Sequence, residues 1–116
     1  MFFKFPITLL AISSGVMAYT NNCKGSTNSP LIAECRDAIA NNINAGLTYS
    51  HDQEFSYGTC YVKYATNDKA SVSHPVSGQK IKDVATRILN ECGHHKGSFG
   101  TDNCDGCHVT VNYKAR

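Results

Sequence analysis

Ser77-Gly78-Gln79-Lys80-Ile81-Lys82-Asp83-Val84-Ala85-Thr86-Arg87-Ile88-Leu89-Asn90-Glu91-Cys92, then a glycine-rich loop, then Cys104-Asp105-Gly106-Cys107-His108-Val109-Thr110-Val111-Asn112-Tyr113: this stretch decides the fold. In its first part Ile81, Val84, Ala85, Ile88, Leu89 and Cys92 recur at i, i+3, i+4, i+7, i+8 and i+11, the stripe of an amphipathic helix. Ser77 suits the N-cap and Gly93 the C′ position. In the last part Val109, Val111 and Tyr113 alternate with His108, Thr110 and Asn112, the period of a half-buried strand. One cysteine ends the helix and two more precede the strand. The pattern predicts one helix and one strand tied by sulfur into a small fold. Function then rests on how that package is displayed rather than on a reactive group within it.

Working outward, residues 70–74 read as a short strand ended by Pro75, and residues 66–69 as a turn. Residues 55–66 read as one strand, or two broken at Gly58. Within them Cys60, Val62 and Tyr64 share one face, and Tyr61, Lys63 and Ala65 the other. Residues 47–50 suit a further short strand, followed by a turn at His51-Asp52-Gln53. Ser29-Pro30 opens a first helix, with Ser29 at the N-cap and Pro30 at N1. Its buried stripe is Ile32, Cys35, Ile39 and Ile43, with Arg36, Asp37, Asn41 and Asn44 off it, and Gly46 should stop it. Cys35 faces inward, so its partner belongs to a strand beneath the helix. The order helix, strands, helix, strand predicts an α+β fold. Its antiparallel sheet carries two helices packed on one face, an α/β sandwich stabilised by disulfides. No repeat, low-complexity tract or linker divides it.

Residues 1–18 read as a secretory signal peptide. Lys4 supplies the positive start, residues 7–16 are apolar, and Val16-Met17-Ala18 fits the small-residue rule before cleavage. The apolar run falls short of the roughly 20 residues that span a bilayer. Residues 19–116 then make one domain, opened by a polar lead-in that holds Cys23. Export changes how the six cysteines read, Cys23, Cys35, Cys60, Cys92, Cys104 and Cys107. An even number in a short exported chain suggests disulfides, of which six allow 15 pairings. A core this small leans on them, at roughly 2–4 kcal/mol each. Eleven Lys and Arg face nine Asp and Glu, and without Lys4 the excess falls to one. So near-neutral a chain offers no electrostatic basis for nucleic-acid binding or for a cationic membrane-disrupting peptide. Asn28-Ser29-Pro30 is not a glycosylation sequon.

Three kinds of chemistry can be weighed. Cys92, His94, His95, Cys104, Cys107 and His108 have spacings a zinc site could use. The oxidising context favours disulfides and solvated imidazoles instead, so no metal and no cofactor is expected. Thioredoxin-like redox chemistry places Cys-Xaa-Xaa-Cys at a helix start, whereas here the motif precedes a strand and encloses an Asp-Gly turn. Hydrolysis needs a framed nucleophile or an acid–base pair, and the carboxylates are scattered. No catalytic residue is assigned, and the chain is not expected to be an enzyme. Lys63 and Lys69, with Tyr61 and Tyr64, could form a binding face, or an ordinary solvated sheet edge guarded by lysine.

Several of these residues resemble a known family. Asn22-Cys23-Lys24-Gly25-Ser26 is similar to the start of the mature virally encoded fungal killer toxins of the KP4 type and their chromosomal relatives. Gly58-Thr59-Cys60-Tyr61-Val62 resembles the family's central cysteine-bearing strand. Ser77-Gly78 with Asn90-Glu91-Cys92-Gly93 resembles its second helix. Val109-Thr110-Val111-Asn112-Tyr113 is close to its last strand. A second family, the secreted necrosis-type effectors related to Ecp2, is similar at residues 29–35 and at Gly58-Thr59-Cys60. The killer-toxin resemblance spans most of residues 19–116. Two features depart from it: the viral toxin has more cysteines, and its basic run before the central cysteine is replaced here by Phe55-Ser56-Tyr57-Gly58.

The resemblance implies an antiparallel sheet bearing two helices, and a secreted, non-enzymatic inhibitor of calcium uptake. It implies pairing of Cys23 with Cys92. With Cys35 joined to Cys60, Cys104 and Cys107 are then left to each other. The rival set joins Cys23 to Cys104 or Cys107, and Cys92 to the other. The expected partner is a membrane protein of a competing fungus or plant host, a calcium channel among the candidates, met by a monomeric chain. Lys63, Lys69 and Lys96 are candidate contact residues because they are cationic and expected to be exposed. The alternative is a disulfide-rich protein that binds or sequesters wall carbohydrate on its tyrosine-rich strands.

Overall fold

The computed structural model describes residues 19–67 and 72–116. The expected signal peptide, Lys69 and the first half of the expected strand at 70–74 lie outside the described residues. In chain order the elements are α1 (Ile32–Asn42), β1 (Thr48–Tyr49), β2 (Gln53–Glu54), β3 (Cys60–Ala65), β4 (Val76–Ser77), α2 (Gly78–Glu91), β5 (Gly97–Gly100) and β6 (His108–Tyr113). The main sheet runs β2-β3-β6-β5 and every pair in it is antiparallel. A second, two-stranded sheet joins β1 to β4.

Register follows the hydrophobic alternation, because a slip of one residue would turn every apolar side chain to solvent. Val62 stands opposite Val111, and Tyr64 opposite Val109, on the face that both helices cover. Phe99 of β5 continues that row beside Val109. The α2 stripe is buried throughout, and Cys35, Ala38 and Ile39 bring α1 into the same core. Each fully buried aliphatic side chain here contributes about 1.5–3 kcal/mol. The fold is therefore α+β, with two helices and antiparallel strands packed together. Disulfides join Cys23 to Cys92, Cys35 to Cys60, and Cys104 to Cys107.

The α1 boundaries differ from expectation at both ends. Its N-cap is Leu31 rather than Ser29, and no side chain caps it. A relay from a neighbouring turn serves instead. The Leu31 N–H donates to Thr59 Oγ1 (3.1 Å), while the Thr59 hydroxyl (2.7 Å) and N–H (2.8 Å) donate to Glu34 Oε1. Glu34 lies so close beneath Gly58 that a Cβ there would sit 2.2 Å from its Oε2, and Gly58 has φ +59°. The turn thus needs glycine both for its backbone and for room. At the other end α1 stops at Asn42 and not at Gly46, since Ile43 turns extended and buries itself. Asn44 Oδ1 then accepts from the Gly46 N–H (2.9 Å), a local Asx turn.

The α2 N-cap is Ser77, whose Oγ accepts from the Lys80 N–H at 3.0 Å. Past its end the left-handed residue is His95 (φ +58°), not Gly93. His95 Nδ1 lies 3.1 Å from the Leu89 carbonyl, so the imidazole helps finish the helix. The expected strand at 70–74 is not formed over its described residues. Pro75 precedes a strand, β4, instead of ending one. The largest departure is the glycine-rich loop after α2. Its residues 97–100 are β5, all four buried, between α2 and the N-terminal segment. A Cβ on Gly97 would stand 2.5 Å from the Asn22 carbonyl and 2.9 Å from Cys92 Sγ. Close approach of backbone, not β propensity, selects these residues.

Candidate functional site

The sheet face away from the helices carries the polar members of each alternation. Tyr61 pairs with Asn112, Lys63 with Thr110, and Ala65 with His108. The N-terminal lead-in lies across the β5–β6 half of this face. Tyr19 stacks on the His108 ring at 4.3 Å and its hydroxyl hydrogen-bonds Ser98 Oγ at 2.7 Å. Asn22 exchanges backbone hydrogen bonds with Ser98, and Ser26 donates its N–H to Asn112 Oδ1. Cys23–Cys92 pins the segment there, which also covers the open edge of β5. The β3 half stays half-buried, with Tyr61, Lys63 and Ala65 outermost.

Lys63 belongs to this remaining face. Its Nζ lies 3.6 Å from Asp52 Oδ2, with both side chains about one-third exposed (34% and 36%). A pair this exposed adds at most about 1 kcal/mol, so its main effect is to aim the ammonium. Asp52 Oδ1 also accepts the N–H (2.9 Å) and hydroxyl (3.1 Å) of Thr66. Tyr64, grouped with this face as a possible contact, is instead fully buried on the helix side. Its hydroxyl donates to the His74 carbonyl at 2.6 Å and receives Asn103 Nδ2–H at 2.8 Å. Alternation within β3 forces this, because Tyr64 shares the pleat of Cys60 and Val62.

Lys96 corrects the expectation more sharply. It is buried (9% exposed), and its Nζ donates to the carbonyls of Ser26 (2.6 Å) and Asn28 (3.2 Å), with Ser29 Oγ at 3.4 Å. Lys96 is a strut that gathers the 26–29 turn, not an exposed contact. Ser29, two residues short of the Leu31 N-cap, contributes its Oγ to this strut. Lys96→Met should lower stability by about 2 kcal/mol, the scale of charge-assisted hydrogen bonds left unmade. Amide exchange should rise across residues 24–29. Chemical denaturation checks the first expectation, and an unchanged midpoint would return Lys96 to the role of a free surface cation.

The shifted carboxylates are structural. Hydrogen bonds from the Thr59 hydroxyl and N–H hold Glu34 below the usual carboxylate range against its partial burial, with Arg116 adding to the effect. Burial pushes Asp52 up, but the Thr66 hydrogen bonds and Lys63 together outweigh it, leaving the group lowered. The Lys114 ammonium, 2.6 Å from Glu54 Oε2, lowers Glu54, helped by a hydrogen bond from Ser56. A depressed folded value means stability that is fully present above the unfolded carboxylate range, about pH 4, and lost as pH falls through the folded values beneath it. The melting temperature should therefore hold level above about pH 5 and decline below pH 4. Asp52→Asn should flatten that decline when melting is followed against pH.

The Cys and His residues whose spacing a zinc site could use are not the ones the fold brings together. Cys92 is bonded to Cys23, His95 finishes α2, and His108 lies under Tyr19 with Nδ1 2.7 Å from the Gly106 carbonyl. His74, Cys104 and Cys107 come together instead, their ligand atoms all within 4.8 Å of one another. Nothing in the spacing marks His74, which lies 30 residues before Cys104. Among the described residues no helix is long and apolar enough to cross a membrane. Neither protein-family models nor characterised proteins provide a match to this chain.

Proposed function

We propose that this chain is a secreted killer-toxin-like effector. It binds a protein on the surface of a competing fungus or plant host and lowers that cell's calcium uptake. One observation carries the reading, the cross-linked scaffold of two helices on an antiparallel sheet. This is the architecture that the killer-toxin resemblance implies. Two of the stretches behind that resemblance also lie side by side, as Cys60, Tyr61 and Val62 pair with Tyr113, Asn112 and Val111. Three disulfides with no free cysteine suit an oxidising space outside the cell. The binding surface is the uncovered β3 half of the sheet, with Tyr61 and Lys63 at its centre. Tyrosine and a held cation are effective contact groups at protein interfaces.

The test applies purified oxidised protein to fungal cultures and leaf tissue, with and without added calcium. Growth arrest relieved by calcium is the expected result. Lys63→Gln should reduce potency severalfold at a nearly unchanged melting temperature, since its ion pair, about one-third exposed, is weak. Growth unaffected in both systems, with retention on wall polysaccharide, would replace this reading by carbohydrate binding.

A further inference from the structure

The Cys104–Cys107 bond differs from its two companions in what it closes. Its cysteines are three apart in sequence, against 25 for Cys35–Cys60 and 69 for Cys23–Cys92. The turn that carries it has supports independent of sulfur. The Cys107 N–H donates to the Cys104 carbonyl (3.2 Å), the Thr101 N–H donates to the Cys107 carbonyl (3.0 Å), and Gly106 takes φ +87°. His74 is anchored separately, its carbonyl receiving the Tyr64 hydroxyl (2.6 Å) and Asn103 Nδ2–H (3.1 Å). Opening the bond would thus leave two sulfurs and an imidazole gathered in one place. Their ligand atoms lie within 4.8 Å of one another, and tetrahedral zinc needs sulfur and nitrogen ligands about 3.6–3.8 Å apart.

We propose that Cys104, Cys107 and His74 form a redox-gated site for a divalent cation of the zinc class. It is closed while the disulfide stands and competent once a dithiol has reduced it. Cys104 is partly exposed and Cys107 is fully buried, so the attacking thiolate reaches Cys104 Sγ. A bond forms between the reductant's sulfur and Cys104, the Cys104–Cys107 bond breaks, and its electron pair goes to Cys107 Sγ. The Tyr64 hydroxyl lies 3.4 Å from that sulfur, and Asn103 backs the tyrosine oxygen at 2.8 Å. The hydroxyl's one proton goes to the His74 carbonyl in the closed state (2.6 Å), and turning it to the sulfur would stabilise the leaving thiolate. The reductant's second thiolate then displaces Cys104 and departs as its own disulfide. The protein has gained two electrons, and two protons from solvent complete the thiols. Zinc binding expels those two protons and joins both thiolates to the imidazole, leaving a fourth position for water.

The experiment treats the intact oxidised chain with one equivalent of dithiothreitol, maps thiols by alkylation and mass spectrometry, removes the reductant anaerobically, and titrates zinc. Cobalt(II) in a parallel sample reports thiolate ligation through its sulfur-to-metal charge-transfer band. The expected result is alkylation confined to Cys104 and Cys107, one zinc per reduced chain, and none per oxidised chain. His74→Ala should weaken zinc affinity at least about tenfold while leaving the alkylation pattern unchanged. The paired C104S and C107S variant should bind no zinc. The proposal is overturned if another disulfide opens first, or if the reduced chain takes up no zinc. It is equally overturned if the oxidised chain or the paired serine variant binds as well, or if His74→Ala binds as tightly as the parent.

Discussion

Replacing Cys23 and Cys92 together by serine should cost about 4 kcal/mol and lower the melting temperature by on the order of 20 °C. The bond spans 69 residues, so its loss frees nearly the whole domain in the unfolded state. Chain entropy for a loop of that size amounts to about 4.4 kcal/mol, against about 3.5 for Cys35–Cys60 and about 2 for Cys104–Cys107. The folded state suffers as well. Cys23 holds the lead-in whose Asn22 covers the edge of β5, and that edge is left open when the segment frays. Cys35 and Cys60 are both fully buried, so alanines there would add a void to the entropic loss and bring that variant close to the first. Calorimetry on the three paired variants reads the order directly. A Cys104/Cys107 variant that melts lowest would sink the loop-length account, and with it the claim that this bond opens without unfolding the domain.

Gly78→Ala should destabilise by about 3 kcal/mol, although alanine in a helix ordinarily exceeds glycine by about 1 kcal/mol. Position decides the sign. A Cβ on Gly78 would stand 1.9 Å from the Asn44 carbonyl oxygen and 2.7 Å from its carbon, and backbone cannot swing aside as a side chain can. The same approach lets the Gly78 N–H donate to the Leu47 carbonyl at 2.8 Å. Forcing the segments apart therefore costs a hydrogen bond along with the contact. Gly93→Ala is the matched comparison, since an added Cβ there meets nothing within 4 Å. It should leave stability within about 0.5 kcal/mol of the parent. Urea midpoints of the two variants separate close approach from helix propensity, and equal midpoints would show that the α1–β1 turn yields easily.

Helix α2 and strands β3 and β6 were legible because one periodicity ran unbroken through each. The same reasoning placed both helices against an antiparallel sheet. It failed where no side chain carried the signal. Gly97-Ser98-Phe99-Gly100 has one large apolar residue, and it becomes a strand only because Asn22, Cys92 and Tyr19 close in around it. The start of α1 was misplaced for a similar reason. Ser29 has the chemistry of a cap, but the helix begins only at Ile32, and a distant Thr59–Glu34 pair supports its first turn. At the candidate surface, alternation separated Tyr61 and Lys63 from Tyr64, yet charge alone misjudged Lys96. A lysine reads as exposed until four carbonyl and hydroxyl oxygens, 67 to 70 residues away, are seen to converge on it.

The sequence by itself determined α2, β3 and β6, their apolar faces and the inward aim of Cys35, because these follow from repeats of two and 3.6 residues that neighbours in the chain carry alone. Only the tertiary structure decided which half of the sheet is covered, which cysteines meet, and that His74 joins Cys104 and Cys107. Those outcomes depend on contacts between residues far apart in the chain, and local spacing holds no record of them.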